Sequence, residues 1–160
     1  MPAPNDLVGC VAGLDFGVID DSVAKAIGRQ AGPIRLPFGV SGPRGFGEQH
    51  VEKQAKRMAA VRDYGFPTFV AYAYFICQGY EWIAADRDRL ALVRPKDGYD
   101  HTVIVEHKEE QGHWTITTGI LKRVHRAEKL WVREQAGRSE PSPGVVEKRP
   151  RRETLTLRKS

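Results

Sequence analysis

The chain has few cysteines and no long apolar run. Its only cysteines, Cys10 and Cys77, lie far apart, and neither belongs to a CxxC pair. This spacing argues against a zinc ribbon or a disulfide framework, and we expect Cys77, inside an apolar run, to be a small buried residue. No run approaches the roughly 18 apolar residues that a membrane span requires. The first residues also lack a basic region followed by an apolar segment. We therefore expect a cytoplasmic protein without a membrane partner, with delivery by another route as the alternative.

The charge is positive and uneven. The 160 residues carry a formal net charge of +5, and the hydrophobic fraction of 41% is ordinary for a globular chain. Residues 1–30 hold four acids and two bases, a net of −2, whereas residues 136–160 hold seven bases and three acids, a net of +4. Because lysine and arginine displace counterions condensed on phosphates, a basic balance favours a polyanionic partner.

Hydrophobic periodicity predicts helices first and strands afterwards. Asp20 begins a short helix, a short strand follows over 34–38, and a helix spans 47–63. The aromatic apolar run from Thr68 to Arg87 predicts one buried helix or two short ones. Period-two alternation then predicts three strands and a fourth segment, with hairpin connections at PKDGYD and KEEQGH: 90–93, 102–106, 114–118 and 130–132.

This order predicts an α+β fold in which N-terminal helices pack on a three- to four-stranded antiparallel sheet. The size of the chain suits one domain over residues 1–135. Prolines and polar residues predict a linker from residue 136, and the segment to residue 160 reads as a basic tail or an edge strand.

The stretch GFGEQHVEKQAKR, residues 45–57, places a histidine after two glycines. Within one helix, Lys53 and Arg57 would share the face of His50 and set cations beside a bound phosphate. The alternative is structural: the glycines make a turn, and the bases form a solvated helix face.

The order of IRLPFG, GFGEQHV, LALVRP, TVIVEH and HWTITTGI resembles the phage-associated branch of the barnase–EndoU–colicin–RelE ribonuclease superfamily. That branch has a Gly-Phe-Gly-x-x-His motif after a first short strand and a hydroxyl residue near the end of a late strand. The match covers roughly residues 33–121. It implies that His50 is catalytic and that the late-strand hydroxyl is Thr118, or Thr117 if the register slips by one.

The resemblance implies RNA cleavage without a metal or another cofactor. A base takes the proton of a ribose 2′-OH, the oxygen attacks the adjacent phosphorus, and an acid protonates the leaving 5′-oxygen. Cations are needed where charge builds on the phosphorane. Lys53 ranks first among them, followed by Arg57, Arg94 and Lys122, and a basic arm at Arg151 and Arg152 would contribute to RNA binding.

Several residues keep two interpretations. Trp114 could stack on a base, as could Phe46, Tyr99 and Trp131, although most aromatics at such spacings are core residues. His101, His107 and His113 could supply a second acid–base group or a metal ligand, but we expect polar surface residues at strand ends. Glu48 is either a first-turn carboxylate or a base.

The leading hypothesis is a toxin-like endoribonuclease of phage or mobile-element type, acting on tRNA or another structured RNA in a bacterial cytoplasm. Delivery with a virion and restraint by an acidic inhibitor protein would fit it. The alternatives are a nucleic-acid-binding or regulatory protein without enzymatic activity, and a structural component of a virion.

Overall fold

The computed structural model describes residues 2–119 and 128–134, which form eight strands and four helices. In chain order these are β1 (Leu7–Val8), β2 (Gly17–Ile19), α1 (Asp21–Ile27), β3 (Gly32–Pro37), α2 (Gly47–Glu52), α3 (Ala55–Asp63), α4 (Phe69–Gly79), β4 (Trp82–Asp86), β5 (Arg89–Lys96), β6 (Tyr99–Lys108), β7 (His113–Gly119) and β8 (Lys129–Val132). The predicted linker and tail over residues 136–160 lie outside the described residues, as do Lys122, Arg151 and Arg152.

All the strands belong to one mixed sheet with the order β1-β3-β7-β6-β5-β4-β8, and β2 pairs with β3 beside that path. Strands β3 and β7 run parallel, with Ile34 opposite Trp114, and the other pairs are antiparallel. The predicted fold, in which N-terminal helices pack on a three- to four-stranded antiparallel sheet, is therefore wrong, because the molecule is sheet-rich and its helices are short.

The error has two local causes. The apolar run from Thr68 does not stay helical, since Tyr80 adopts φ −58° and ψ 138°, ends α4 and leads into β4. The glycine-rich N-terminal segment forms β1 and β2, strands of two and three residues that carry too few positions for a periodic signal. The pairing of β3 with β7 joins segments about eighty residues apart, which no local pattern encodes.

The predicted helix over 47–63 is two helices. Helix α2 ends at Glu52, and Gln54 has extended backbone angles of φ −98° and ψ 103° before α3 begins. The break lies after Lys53, whose backbone N–H still donates to the carbonyl oxygen of Gln49 over 3.2 Å, so it separates Arg57 rather than Lys53 from the helix of His50.

The main core lies between the helices and one face of the sheet. Leu90, Leu92 and Trp114 on that face pack with Val51, Met58 and Phe69 from the helices. Alternation along β5 sends Ala91 and Val93 to the opposite face, where they form a smaller buried cluster with Trp82, Ala84 and Ile104. Cys77 is buried, as expected. Among the described residues, no helix is long and apolar enough to cross a membrane.

Candidate functional site

The glycines around His50 allow the backbone to fold closely on itself. Val40 and Phe46 exchange two backbone hydrogen bonds of 3.0 Å, which close the loop between β3 and α2. Gly47 has φ +77°, and a Cβ there would lie 2.5 Å from the carbonyl oxygen of Pro37. A Cβ on Gly45 would lie 2.8 Å from Nδ1 of His50. The motif therefore seats the loop directly against the imidazole.

The two ring nitrogens of His50 have different surroundings. Nδ1 is buried against the loop and makes no hydrogen bond that meets standard geometry with any described residue. Nε2 lies 3.3 Å from Nε2 of Gln54, and the same amide nitrogen donates to the backbone oxygen of His50 over 2.8 Å. Gln54 was not among the residues singled out by sequence. Its position four residues after His50 is the signal that could have found it.

The surroundings of His50 favour the neutral form of its imidazole. Burial is the main effect that lowers the pKa of His50 below its ordinary value, and the positive charge of Arg57 lowers it further. The backbone of Gly42 acts in the opposite direction and raises the pKa of His50. An imidazole that is neutral near pH 7 is a competent proton acceptor.

Arg57 links the His50 region to the end of strand β7. Its Nη1 donates to the hydroxyl oxygen of Thr118 and, over 3.2 Å, to the carbonyl oxygen of Gly119. Burial lowers the pKa of Arg57, but a guanidinium stays charged at any physiological pH. The structure therefore joins Arg57 to Thr118, with the guanidinium close enough to His50 for its charge to affect the pKa of the ring.

The neighbouring hydroxyl, that of Thr117, has different partners. Thr117 lies at the irregularity where the pairing of β6 and β7 shifts, and its Oγ1 donates to the carbonyl oxygen of Ile104 over 3.3 Å. It lines a groove of about 1050 Å³ together with Thr115 and His113. The sequence left Thr117 and Thr118 as alternatives for the late-strand hydroxyl residue, and Thr118 is the one that bonds to Arg57.

Lys53 is not brought to the imidazole. Its exposed side chain lines a surface depression with Glu48 and Glu52. Burial, and then the negative charge of Glu52, raise the pKa of Glu48. Lys53 completes the last turn of α2, but the charge that lowers the pKa of His50 is that of Arg57.

Two further predicted contacts have structural roles. Arg94 donates from Nη1 to the carbonyl oxygen of Phe75 over 2.7 Å and lies 4.0 Å from the centroid of its ring. Trp114 is 0% exposed and donates from Nε1 to the carbonyl oxygen of Gln30 over 3.0 Å. A fully buried indole has no face open to a nucleobase, and Arg94 binds α4.

The histidines expected at the surface are more buried than the sequence suggested. His101 is 3% exposed and lies between the hydroxyl of Tyr72, 3.1 Å from Nδ1, and the carbonyl oxygen of Lys96, 3.2 Å from Nε2. His113 is 6% exposed, and half-buried His107 packs against Trp114 with ring centroids 5.0 Å apart. Among the described residues, no group of three or more His, Cys, Asp or Glu is placed to hold a metal ion.

The other aromatic residues considered for stacking differ in exposure. Tyr99 is 55% exposed and packs on Tyr64, with ring centroids 5.1 Å apart. Phe46 and Trp131 are half-buried, the latter against Tyr80. None of these three rings makes a described contact with His50.

Comparison of the chain with protein-family models, with curated proteins and with solved structures finds no match.

Proposed function

We propose that the chain is an endoribonuclease that needs no metal and cleaves RNA by attack of a ribose 2′-OH, with His50 as the base. The observation that carries the proposal is the hydrogen bond that holds the half-buried guanidinium of Arg57 on Thr118, close enough to His50 for its positive charge to lower the pKa of the imidazole. The resemblance of residues 45–51 to a ribonuclease motif supports it independently of the geometry.

We assign the following roles to the residues of the site. Nε2 of His50 takes the proton of the 2′-OH, and the oxygen forms a bond to the adjacent phosphorus while the bond to the 5′-oxygen breaks. The leaving oxygen takes a proton from water, and the imidazolium returns its proton to the hydroxide that remains. The products are a 2′,3′-cyclic phosphate and a 5′-hydroxyl. A substrate without the 2′-OH has no nucleophile.

Arg57 has the electrostatic role that the sequence assigned first to Lys53. Its guanidinium is fixed by Thr118 and Gly119, so charge on the phosphorane oxygens meets a donor that is already oriented. Thr118 orients Arg57 through its hydroxyl oxygen and leaves its own hydroxyl hydrogen for a phosphate oxygen.

The same catalytic groups and the net charge of the chain also indicate the class of substrate. A net charge of +5 fits a nucleic acid, and attack by the 2′-OH restricts cleavage to RNA. A structured RNA such as tRNA in a bacterial cytoplasm is the substrate we propose.

The test compares three purified proteins on total RNA in EDTA: the unaltered chain, His50→Ala and His107→Ala. Position 107 is the matched control, because its half-buried imidazole packs on Trp114 and has no described contact with Arg57. We expect the unaltered chain and the control to cleave, whereas His50→Ala does not. RNA bound without cleavage by all three proteins would support the alternative, a binding protein without catalysis.

A further inference from the structure

The side chain of Gln54 has only one orientation that satisfies its neighbours. Its amide nitrogen lies 2.8 Å from the backbone oxygen of His50, and an oxygen at that place would face another acceptor. The NH₂ group, not the carbonyl, must therefore face His50, although the two are otherwise hard to distinguish.

The same NH₂ group meets the imidazole. It lies 3.3 Å from Nε2 of His50, and an amide carries two hydrogens, one for each contact. Since the amide nitrogen can only donate, Nε2 must accept. The ring hydrogen is then on Nδ1, the buried atom against Gly45.

We infer that Gln54 is the positioning residue that fixes His50 in the Nδ1–H tautomer, with the lone pair of Nε2 available for the proton of the 2′-OH. The inference rests on the proposed function for its catalytic meaning, but the tautomer itself can be measured without any substrate. The amide must release Nε2 when a ribose binds, and its second hydrogen bond, to the backbone of His50, keeps it in place.

The charged surroundings act in the same direction. Arg57 from α3 is the charged group that interacts with the ring, the loop contributes the backbone of Gly42 and Gly45, and β7 presents the neutral Thr118 to Arg57. A proton added at Nε2 would meet the donor of Gln54 as well as the guanidinium. Removal of the amide should therefore make protonation easier and redistribute the neutral tautomers.

The experiment uses the full chain with ¹⁵N-labelled histidine, and long-range ¹H–¹⁵N correlations of the His50 ring identify the tautomer. Gln54→Met keeps the length of the side chain without its donors. Gln49→Met makes the same chemical change on α2, and the backbone N–H of Gln49, which donates to Phe38, is retained. We expect the Nδ1–H form in the unaltered chain and in Gln49→Met.

In Gln54→Met we expect the ratio of Nδ1–H to Nε2–H to fall roughly fivefold, the ratio that one neutral hydrogen bond sets. The pKa of His50 should rise, and the acidic limb of the cleavage profile should move to higher pH. Gln54→Glu should favour a protonated ring still more strongly, because a carboxylate accepts from Nε2.

Each result decides one of the two proposals. An Nε2–H ring in the unaltered chain, or a tautomer ratio that Gln54→Met leaves unchanged, would overturn the role of Gln54 even if RNA is cleaved. A ratio that depends on Gln54 in a protein that cleaves no RNA would keep the positioning role and reject the proposed function. The first measurement needs no variant, so it stands even if Gln54→Met fails to fold.

Discussion

Arg57 on helix α3 donates through Nη1 to the hydroxyl oxygen of Thr118 on strand β7, a residue 61 positions further along the chain. The same nitrogen reaches the carbonyl oxygen of Gly119 over 3.2 Å. These contacts hold in place the guanidinium whose charge lowers the pKa of His50, whereas Lys53 lines a surface depression with Glu48 and Glu52. Arg57, rather than Lys53, is therefore the cation on which the proposed chemistry depends.

Replacement of Arg57 should affect catalysis far more than replacement of Lys53. Arg57→Met removes the oriented donor, and we expect a loss of about 10²–10³ in single-turnover cleavage rate, the usual effect of losing one oxyanion donor. Lys53→Met makes the same change at an exposed side chain and should leave the rate nearly unaltered. An equal or larger loss with Lys53→Met would reverse the assignment.

The two threonines of β7 should separate catalysis from stability. Thr118→Val removes one of the two acceptors of Arg57, so the cleavage rate should fall while the free energy of unfolding changes little. Thr117→Val removes the donor to Ile104 and should lower the free energy of unfolding by about 1 kcal/mol without slowing cleavage. Urea unfolding and single-turnover rates on both variants check this, and the opposite pattern would place Thr117 at the site.

Gly45 should tolerate no side chain. A Cβ there would lie 2.8 Å from Nδ1 of His50 and closer still to the carbonyl oxygen of Val40. We expect Gly45→Ala to lower the free energy of unfolding by about 1–3 kcal/mol through overpacking and to shift the ring resonances of His50. Gly9→Ala is the control, since its Cβ would meet its nearest neighbour, the oxygen of Gly13, at an ordinary 3.6 Å. Equal stability of the two variants would contradict the close packing.

Stability should fall in mild acid because buried histidines resist protonation. Burial lowers the pKa of His50, His101 and His113 below their ordinary value. The unfolded chain therefore binds protons first as the pH falls through about 6.5. The free energy of unfolding should decline from there until the pH passes the lowered values of the folded state.

The same effect can be assigned to one residue. His101→Gln keeps a donor and an acceptor between Tyr72 and Lys96 but does not titrate, so the decline between pH 7 and pH 5 should be shallower in this variant. Urea unfolding at several pH values measures the slope. An unchanged slope would show that His101 does not contribute to it.

The sequence identified the elements whose signal is local. Period-two alternation found the segments of β5, β6 and β7, and the PKDGYD connection is observed as a turn with positive φ at Asp97 and Gly98. Asp20 caps α1, as its position predicted, by accepting from the backbone N–H of Val23 over 2.9 Å.

The features that the sequence did not reveal depend on distant contacts or on a single backbone change. The parallel pairing of β3 with β7 converts a meander into a mixed sheet, and it also brings Thr118 near α3. The extended backbone of Gln54 separates Arg57 from the helix of His50, and Gln54 is not a strong helix-breaking residue such as proline. The spacing of the residues identified the motif, but only the fold shows that Arg57 bonds to Thr118.

The most direct measurement uses a defined oligonucleotide that carries one ribose in an otherwise 2′-deoxy strand, incubated in EDTA with the unaltered chain and with His50→Ala. Identification of the product ends by mass reports the chemistry. The account predicts a single cut after the ribose by the unaltered chain, with a 2′,3′-cyclic phosphate and a 5′-hydroxyl, and no cut by His50→Ala. Cleavage of the fully 2′-deoxy strand, or equal cleavage by His50→Ala, would contradict it.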